Sequence, residues 1–392
     1  MTRPYWLTGG LRPFFLLGSL AMAASVLVWL PLYIGDLELP TLFQPRDWHV
    51  HTTLFGGVMA IVAGFTLTAV ANWTGRPPVA GRLLFVLVCL WLAGRLAVST
   101  SAAIGANAGL VVDLLFPVAL AAVLAREVIA AKNHRNLRVV VVVAALGVAN
   151  LAFHLEARTT GTAEISTRVA VSLVIFLILL IGGRVIPAFT RNWLAARKAT
   201  CLPAAFSMLD TVGMAAAVGG LLAWTAFPDV TATAGLLGLA GILAAVRLSR
   251  WCGLSARSEP LLLVLHVAFA TIPLGFLAIA ASILWPSSVE PAAAVHIWTV
   301  GTVGAMTLAM MTRATRGHSG RPLVAGRLEI ALFALVFVGA AARVAAPYAG
   351  GWYVHALDCA GLAWAAAYLA FAIGYGRMLL IPRDTRIAET LS

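Results

Sequence analysis

Residues 166–190 read STRVAVSLVIFLILLIGGRVIPAFT, a run of Val, Ile, Leu and Phe whose only charges are Arg168 and Arg184. A helix at a protein–water boundary carries a polar stripe along one side. This run carries none. A hydrocarbon core about 30 Å thick takes about 20 apolar residues in a helix, the one open-ended structure that satisfies its own backbone hydrogen bonds there. The run is therefore read as a membrane span.

Working outward, runs of the same kind repeat along the chain, and helices are expected at 13–34, 49–72, 79–100, 108–131, 136–155, 166–190, 203–226, 229–250, 259–285, 290–314, 325–347 and 352–378. AVILMFWYC make up 61% of the 392 residues and DEKR only 11%, too few charges to cover a water-facing surface. The expected fold class is an all-α integral membrane protein of about twelve spans, one polytopic domain over 1–392, and soluble enzymes are excluded. Ala21, Met22 and Ala23 resemble a cleavage site, but the apolar run continues to Ile34, so the first helix is read as uncleaved.

The net charge of +12 would suggest nucleic acid in a soluble protein. Its distribution points elsewhere. With the amino terminus inside, all but Arg46, Arg95, Arg158, Arg168 and Arg343 of the 27 Lys and Arg fall on the cytoplasmic side. This positive-inside bias is that of a bacterial inner-membrane protein with both termini cytoplasmic, whose partner is the lipid bilayer and which binds no nucleic acid. Cys89, Cys201, Cys252 and Cys359 form no CxxC pair and are expected to act as small apolar residues, with no disulfide framework.

The chain contains a repeat. GRPPVAGRL at 75–83 recurs as GRPLVAGRL at 320–328, eight of nine positions agreeing at an offset of 245. The same offset carries His51 onto His296 and Gly56 onto Gly301, relating the segments around 48–100 and 293–347. A fainter echo places Asn192 and Trp193 120 residues after Asn72 and Trp73. Helices 2, 6 and 10 are spaced by four, which suggests parallel four-helix units about an axis along the membrane normal.

Ionisable side chains are scarce in such helices and mark pathways or cofactor sites. His49, His51, His154, His296 and His355 all fall near the outer helix ends, and His266 lies deeper in the ninth helix. Imidazoles with few carboxylates favour copper, zinc or haem iron over calcium or magnesium. His49 and His51 would point about 200° apart on a helix, towards different centres, but to one side of an extended segment. The repeat singles out His51 and His296. His355 and His134 are read as interfacial or loop residues.

Arg95 and Arg343 sit about one turn from the outer ends of repeat-related helices. Each needs an anionic partner, either a haem propionate or Asp113 and Asp358. Gly182, Gly183, Arg184 and Pro187 mark a kinked segment, and Arg313, His318 and Arg321 a basic cluster.

The blocks WHVHTTLFG at 48–56, GFTLTAVANWTGRPP at 64–78, WLAGR at 91–95, NLAFHLE at 150–156, GGRVIPAFTRNWL at 182–194 and MMTRATRGHSGRPL at 310–323 resemble the signatures of the NnrS family over nearly the whole chain. The resemblance implies a haem- and copper-containing membrane protein of the nitric oxide response, in denitrification or in relief of nitrosative stress. It implies His49, His51, His154, His266 and His296 as metal ligands and His318 as a further cofactor-binding residue. Thr52 departs from the acidic residue expected after the second His of the first block, which leaves any proton or outer-ligand role of that carboxylate open. The architecture is also similar to that of haem-copper oxidase subunit I, although the oxidases' adjacent His-His pair is missing.

The function expected is binding of haem b and copper in the outer half of the bundle, acting on nitric oxide or a nitrosyl species with an electron donor that the sequence does not identify. Whether the chain is catalytic stays open. A secondary transporter or metal exporter, and a non-catalytic haem-based sensor or accessory protein, are the alternatives.

Overall fold

The computed structural model describes residues 4–382. Among the described residues, twelve helices are long and apolar enough to cross a membrane: α1 (Leu11–Ile34), α2 (Pro45–Thr74), α3 (Arg82–Ser99), α4 (Ala106–Ala130), α5 (His134–Thr160), α6 (Ile165–Ala195), α7 (Met208–Ala226), α8 (Thr231–Ser249), α9 (Pro260–Leu284), α10 (Pro291–His318), α11 (Arg327–Tyr348) and α12 (Gly350–Leu380). No strand occurs among the described residues. The protein is an all-α, multi-span membrane protein. Each span corresponds to a run of the hydropathy pattern, with ends displaced by a few residues.

One of the larger displacements has a local cause. Helix α5 runs to Thr160, five residues past its expected end, and Glu156 in its last turn accepts the backbone N–H groups of Glu164, Ile165 and Ser166 at 2.9, 2.7 and 2.7 Å. A carboxylate that caps the free N–H groups opening the next helix is favoured by hydrogen bonding and by the helix dipole. The capping joins α5 and α6 in a tight hairpin.

The surface is apolar, and the interior, itself mainly apolar, also takes in the polar side chains of the spans. Leu96, Val148, Leu222 and Ile373 are 68, 66, 65 and 82% exposed, whereas Asp47, His51, Asp113, Glu127, Asn150, Asp210, His266 and Glu329 are buried. Lipid-facing positions lose nothing by exposing hydrocarbon, and polar groups that hydrocarbon cannot hydrate turn inward to find one another.

The chain divides into two compact units. The first holds the chain up to Leu151, Met311–Leu323 and the stretch from Tyr368 onward; in it α1 packs on α2, α2 on α4 and α3 on α4. The second comprises Ala152–Met310 and Val324–Ala367; in it α6, α7, α8 and α9 pack in succession, and the middle of α10 lies between α9 and α11.

Helices α2 and α10 share an irregularity. Each opens at a proline in the first turn, Pro45 or Pro291, where the missing N–H costs nothing. Each then widens into a π-helical segment, Thr52–Val58 in α2 and Ile297–Gly304 in α10. The two segments begin 245 residues apart, at the offset of the sequence repeat, directly after His51 and His296. An indole N–H fastens each one: Trp91 of α3 donates to the Gly56 carbonyl at 3.1 Å, and Trp298, within the second segment, donates to the Ile272 carbonyl of α9 at 3.0 Å.

The cysteines depart from expectation. Cys201 and Cys252 are joined by a disulfide, with Cα atoms 6.2 Å apart, while Cys89 and Cys359 are free and exposed. The partners stand 51 residues apart with no motif to link them. They meet because the segments following α6 and α8 meet, as the Ala204 N–H bond to the Arg250 carbonyl at 3.0 Å also shows.

Candidate metal centre

Helix α2 is α-helical from Pro45 to His51, so of the two geometries open for His49 and His51 the helical one holds. The rings face apart. His49 stacks on Trp29 of α1, centroids 4.5 Å apart and planes 28° from parallel. His51 turns towards α4 and α5, fully buried, between the rings of Phe43 and Phe55 at 5.1 and 5.2 Å.

Three polar side chains converge on this imidazole. His51 Nε2 lies 2.8 Å from Asn150 Oδ1 and 3.2 Å from Asp113 Oδ2, Asn150 Nδ2 donates to Asp113 Oδ2 at 2.8 Å, and Arg95 Nη2 donates to Asp113 Oδ1. The arrangement fixes the proton. An ionised carboxylate only accepts, so the amide nitrogen of Asn150 must face Asp113 and its oxygen must face His51. Both neighbours of Nε2 are then acceptors, Nε2 carries the hydrogen, and in the neutral ring the lone pair is left on Nδ1. A carboxylate or amide holding one ring nitrogen so that the other is presented as a base is the arrangement found behind metal-ligating histidines.

Arg95 and Asp113 neutralise each other inside the bundle. Close approach of α3 and α4 makes this possible: a Cβ on Gly94 would lie 2.8 Å from Asp113 Oδ1 and 3.2 Å from its Cα. The pairing uses only part of the guanidinium. Nε and Nη1 of Arg95 are buried with no hydrogen-bond partner among the described residues, and Nη1 lies against Gly56, where a Cβ would come within 2.9 Å of it. Buried guanidinium donors left open suit an anionic oxygen ligand. Of the two partners expected for Arg95, Asp113 is present, and the open donors leave room for a carboxylate such as a propionate as well.

The division between the units falls inside α5, after Leu151, and the helix runs through it unbroken. His154 follows Asn150 by four residues, hence one turn along the same face. Within the first unit, His51 and Asp113 are side chains whose donor types could take part in holding a metal ion, and His154 lies beyond Leu151 in the second unit. With Asp113 engaged by Arg95 and Asn150, the His51 imidazole is the direct ligand this pair can offer.

The remaining histidines lie elsewhere. In the second unit, His266 on α9 is buried and its Nε2 lies 3.0 Å from Thr190 Oγ1 of α6. His296, in the first turns of α10, is half-buried, with Nδ1 at 2.5 Å from the Ala292 carbonyl of its own helix. Arg343 and Asp358 are half-buried on α11 and α12. His318 is exposed at the end of α10, and His355 is exposed beside Trp352.

Two residues important to the centre were not singled out as site residues from sequence. Asp113 entered only as a possible partner of Arg95, yet Asp113 and Asp358 stand at the repeat offset of 245, as do Gly94 and Gly339. That signal could have marked it. Asn150 carried a weaker one, a lone amide in an apolar helix one turn before His154.

The match to known proteins decides the family. The model of the NnrS protein family covers residues 5–383, nearly the whole chain. The chain belongs to the NnrS family. NnrS proteins are, in general, nitric-oxide-related membrane proteins, which agrees with the twelve spans described above. Among curated proteins, none matches this NnrS chain.

Proposed function

We propose that this NnrS protein binds haem b and copper and acts on nitric oxide or a nitrosyl species in the bacterial inner membrane, with both termini in the cytoplasm. The observation that carries the reading is the fully buried His51, whose Nε2–H is engaged by Asn150 and Asp113 and whose Nδ1 lone pair is thereby oriented. Neutral imidazole is a ligand for both haem iron and copper. When bound, such a metal supplies an open coordination position for a neutral diatomic and a change of oxidation state.

The chain's own residues do the rest. Asn150 and Asp113 hold the His51 ring in one tautomer. Arg95 pairs with Asp113 in a water-poor interior and retains donors for an anionic group. Phe43 and Phe55 exclude water from the ring, and the apolar, lipid-facing surface lets a small neutral gas enter from the bilayer. The carboxylate that Thr52 does not provide comes from Asp113, one helix away. His154, His49, His266 and His296 are the further metal ligands proposed, with Arg343 and His318 as cofactor contacts.

The test is the optical spectrum and metal content of the purified full-length protein. A Soret band with near-stoichiometric copper is expected, and His51→Ala should lose bound haem or copper while inserting normally, with His134→Ala unchanged. A colourless, metal-free wild type, or a His51→Ala variant with full cofactor content, overturns the reading.

A further inference from the structure

The disulfide of the second unit lies beside an imidazole with an open nitrogen. Cys252 adopts φ 51°, left-handed backbone that residues with a Cβ seldom occupy, and it leads into the short turn Gly253–Ala256 before α9. That turn lies on His266: a Cβ on Gly253 would come 2.8 Å from ring atoms Cγ and Cδ2 and 3.0 Å from Nδ1. Only a glycine lets the backbone close over the ring this way.

The hydrogen bonding of His266 leaves one nitrogen over. Thr190 Oγ1 donates its single proton to the Ile186 carbonyl at 2.9 Å, so at 3.0 Å from His266 it accepts, and Nε2 carries the hydrogen. Nδ1 then holds a lone pair. It is buried with no partner among the described residues, in a side chain only 6% exposed. Trp251, next to Cys252, closes another side of the ring at 6.3 Å.

We propose that Cys201 and Cys252 form a thiol–disulfide exchange site, acted on by a dithiol reductant, whose state sets whether the Gly253 turn covers the Nδ1 of His266. Cys201 is exposed and Cys252 half-buried, so the bond is open to attack from solvent. One thiolate of the reductant attacks Sγ of Cys201, forming a mixed disulfide and releasing Cys252 as a thiolate. The second thiol of the reductant then displaces Cys201. Two electrons and two protons pass from the dithiol to the cysteines, and the reductant leaves as its own disulfide. With the tether to the α6–α7 segment gone, Cys252 relaxes from its left-handed backbone and the turn lifts from His266.

Two features favour exchange over a permanent crosslink. Arg197, Lys198, Arg250 and Arg257 surround the cysteines in sequence, a basic setting of the kind that favours thiolates. The same charges assign this end of the unit to the cytoplasm under the positive-inside rule, where dithiol systems reduce accessible disulfides. The proposal does not depend on a metal at His51.

The full-length protein in sealed membrane vesicles tests it, with dithiothreitol as reductant, a maleimide to trap thiols and diethyl pyrocarbonate to label histidine, each read by peptide mass. Before reduction the Cys201 and Cys252 peptides should be linked and His266 unlabelled. After reduction from the cytoplasmic side both thiols should be trapped and labelling of His266 should rise several-fold, while Cys201→Ser and Cys252→Ser should each show that labelling without reductant. Absence of the linked peptide, resistance to reductant on the cytoplasmic side, or equal His266 labelling in the two states overturns the proposal.

Discussion

At the scale of single residues, the centre rests on a charge pair that neither partner could leave unmatched. Asp113 is fully enclosed, with Arg95 on one oxygen and Asn150 and His51 at the other. Removing one member of a buried pair strands the other charge and costs about 3–5 kcal/mol, whereas replacing both by apolar groups of similar size is often nearly neutral. Asp113→Leu is therefore expected to lower thermal stability in detergent by about that amount, and Arg95→Met with Asp113→Leu to recover most of the loss. A double variant as unstable as the sum of the singles would mean that the two side chains contribute independently. In the single variant the His51 ring also loses the acceptor beside Asn150.

At the scale of elements, the feature to explain is the widened turn following His51. A π segment accommodates an extra residue in a helix, and each residue turns an α-helix by about 100°, so the segment sets how His51 is phased against the remainder of α2. Deleting Thr53 should restore plain α geometry and swing His51 away from Asn150 and Asp113 while the span stays helical. The expected outcome is loss of the cofactor signal with far-ultraviolet circular dichroism and membrane insertion unchanged. Retained cofactor would show that the phase of α2 does not position the ligand.

The same scale shows why only part of the centre could be read from sequence. His51 stood out because an ionisable residue in an apolar helix is conspicuous and because the repeat pairs it with His296. The choice between a helical and an extended segment at His49 and His51 depended on where α2 begins, and Pro45 decides that. Asn150 escaped notice because its role exists only across helices: its amide relays between a ring on α2 and a carboxylate on α4. The cysteine pair escaped for the same reason, since 51 residues and two spans separate its members.

At the scale of the whole molecule, the fold was nearly all legible, because the cost of placing a span in hydrocarbon adds up residue by residue and needs no tertiary information. Burial was legible less directly, since the apolar surface that makes the spans visible also hides which face of each turns inward. The charge pattern makes a separate statement about direction. Reporter domains fused in the loops at 75–81 and 320–326 should be cytoplasmic, and one inserted at 36–43 periplasmic. The opposite pattern would reverse the orientation proposed above and place the Cys201–Cys252 bond in an oxidising compartment.

The paired π segments carry a historical consequence. An inserted residue at one point of a helix is a rare accident, and its independent arrival at matching places in two halves of a chain, each time directly after a histidine, would be rarer still. The shared offset of 245 is what duplication of an already widened helix would leave. The two copies now differ in enclosure: in one the imidazole, carboxylate and guanidinium are shut away together, and in the other His296 stands half-open at its helix start.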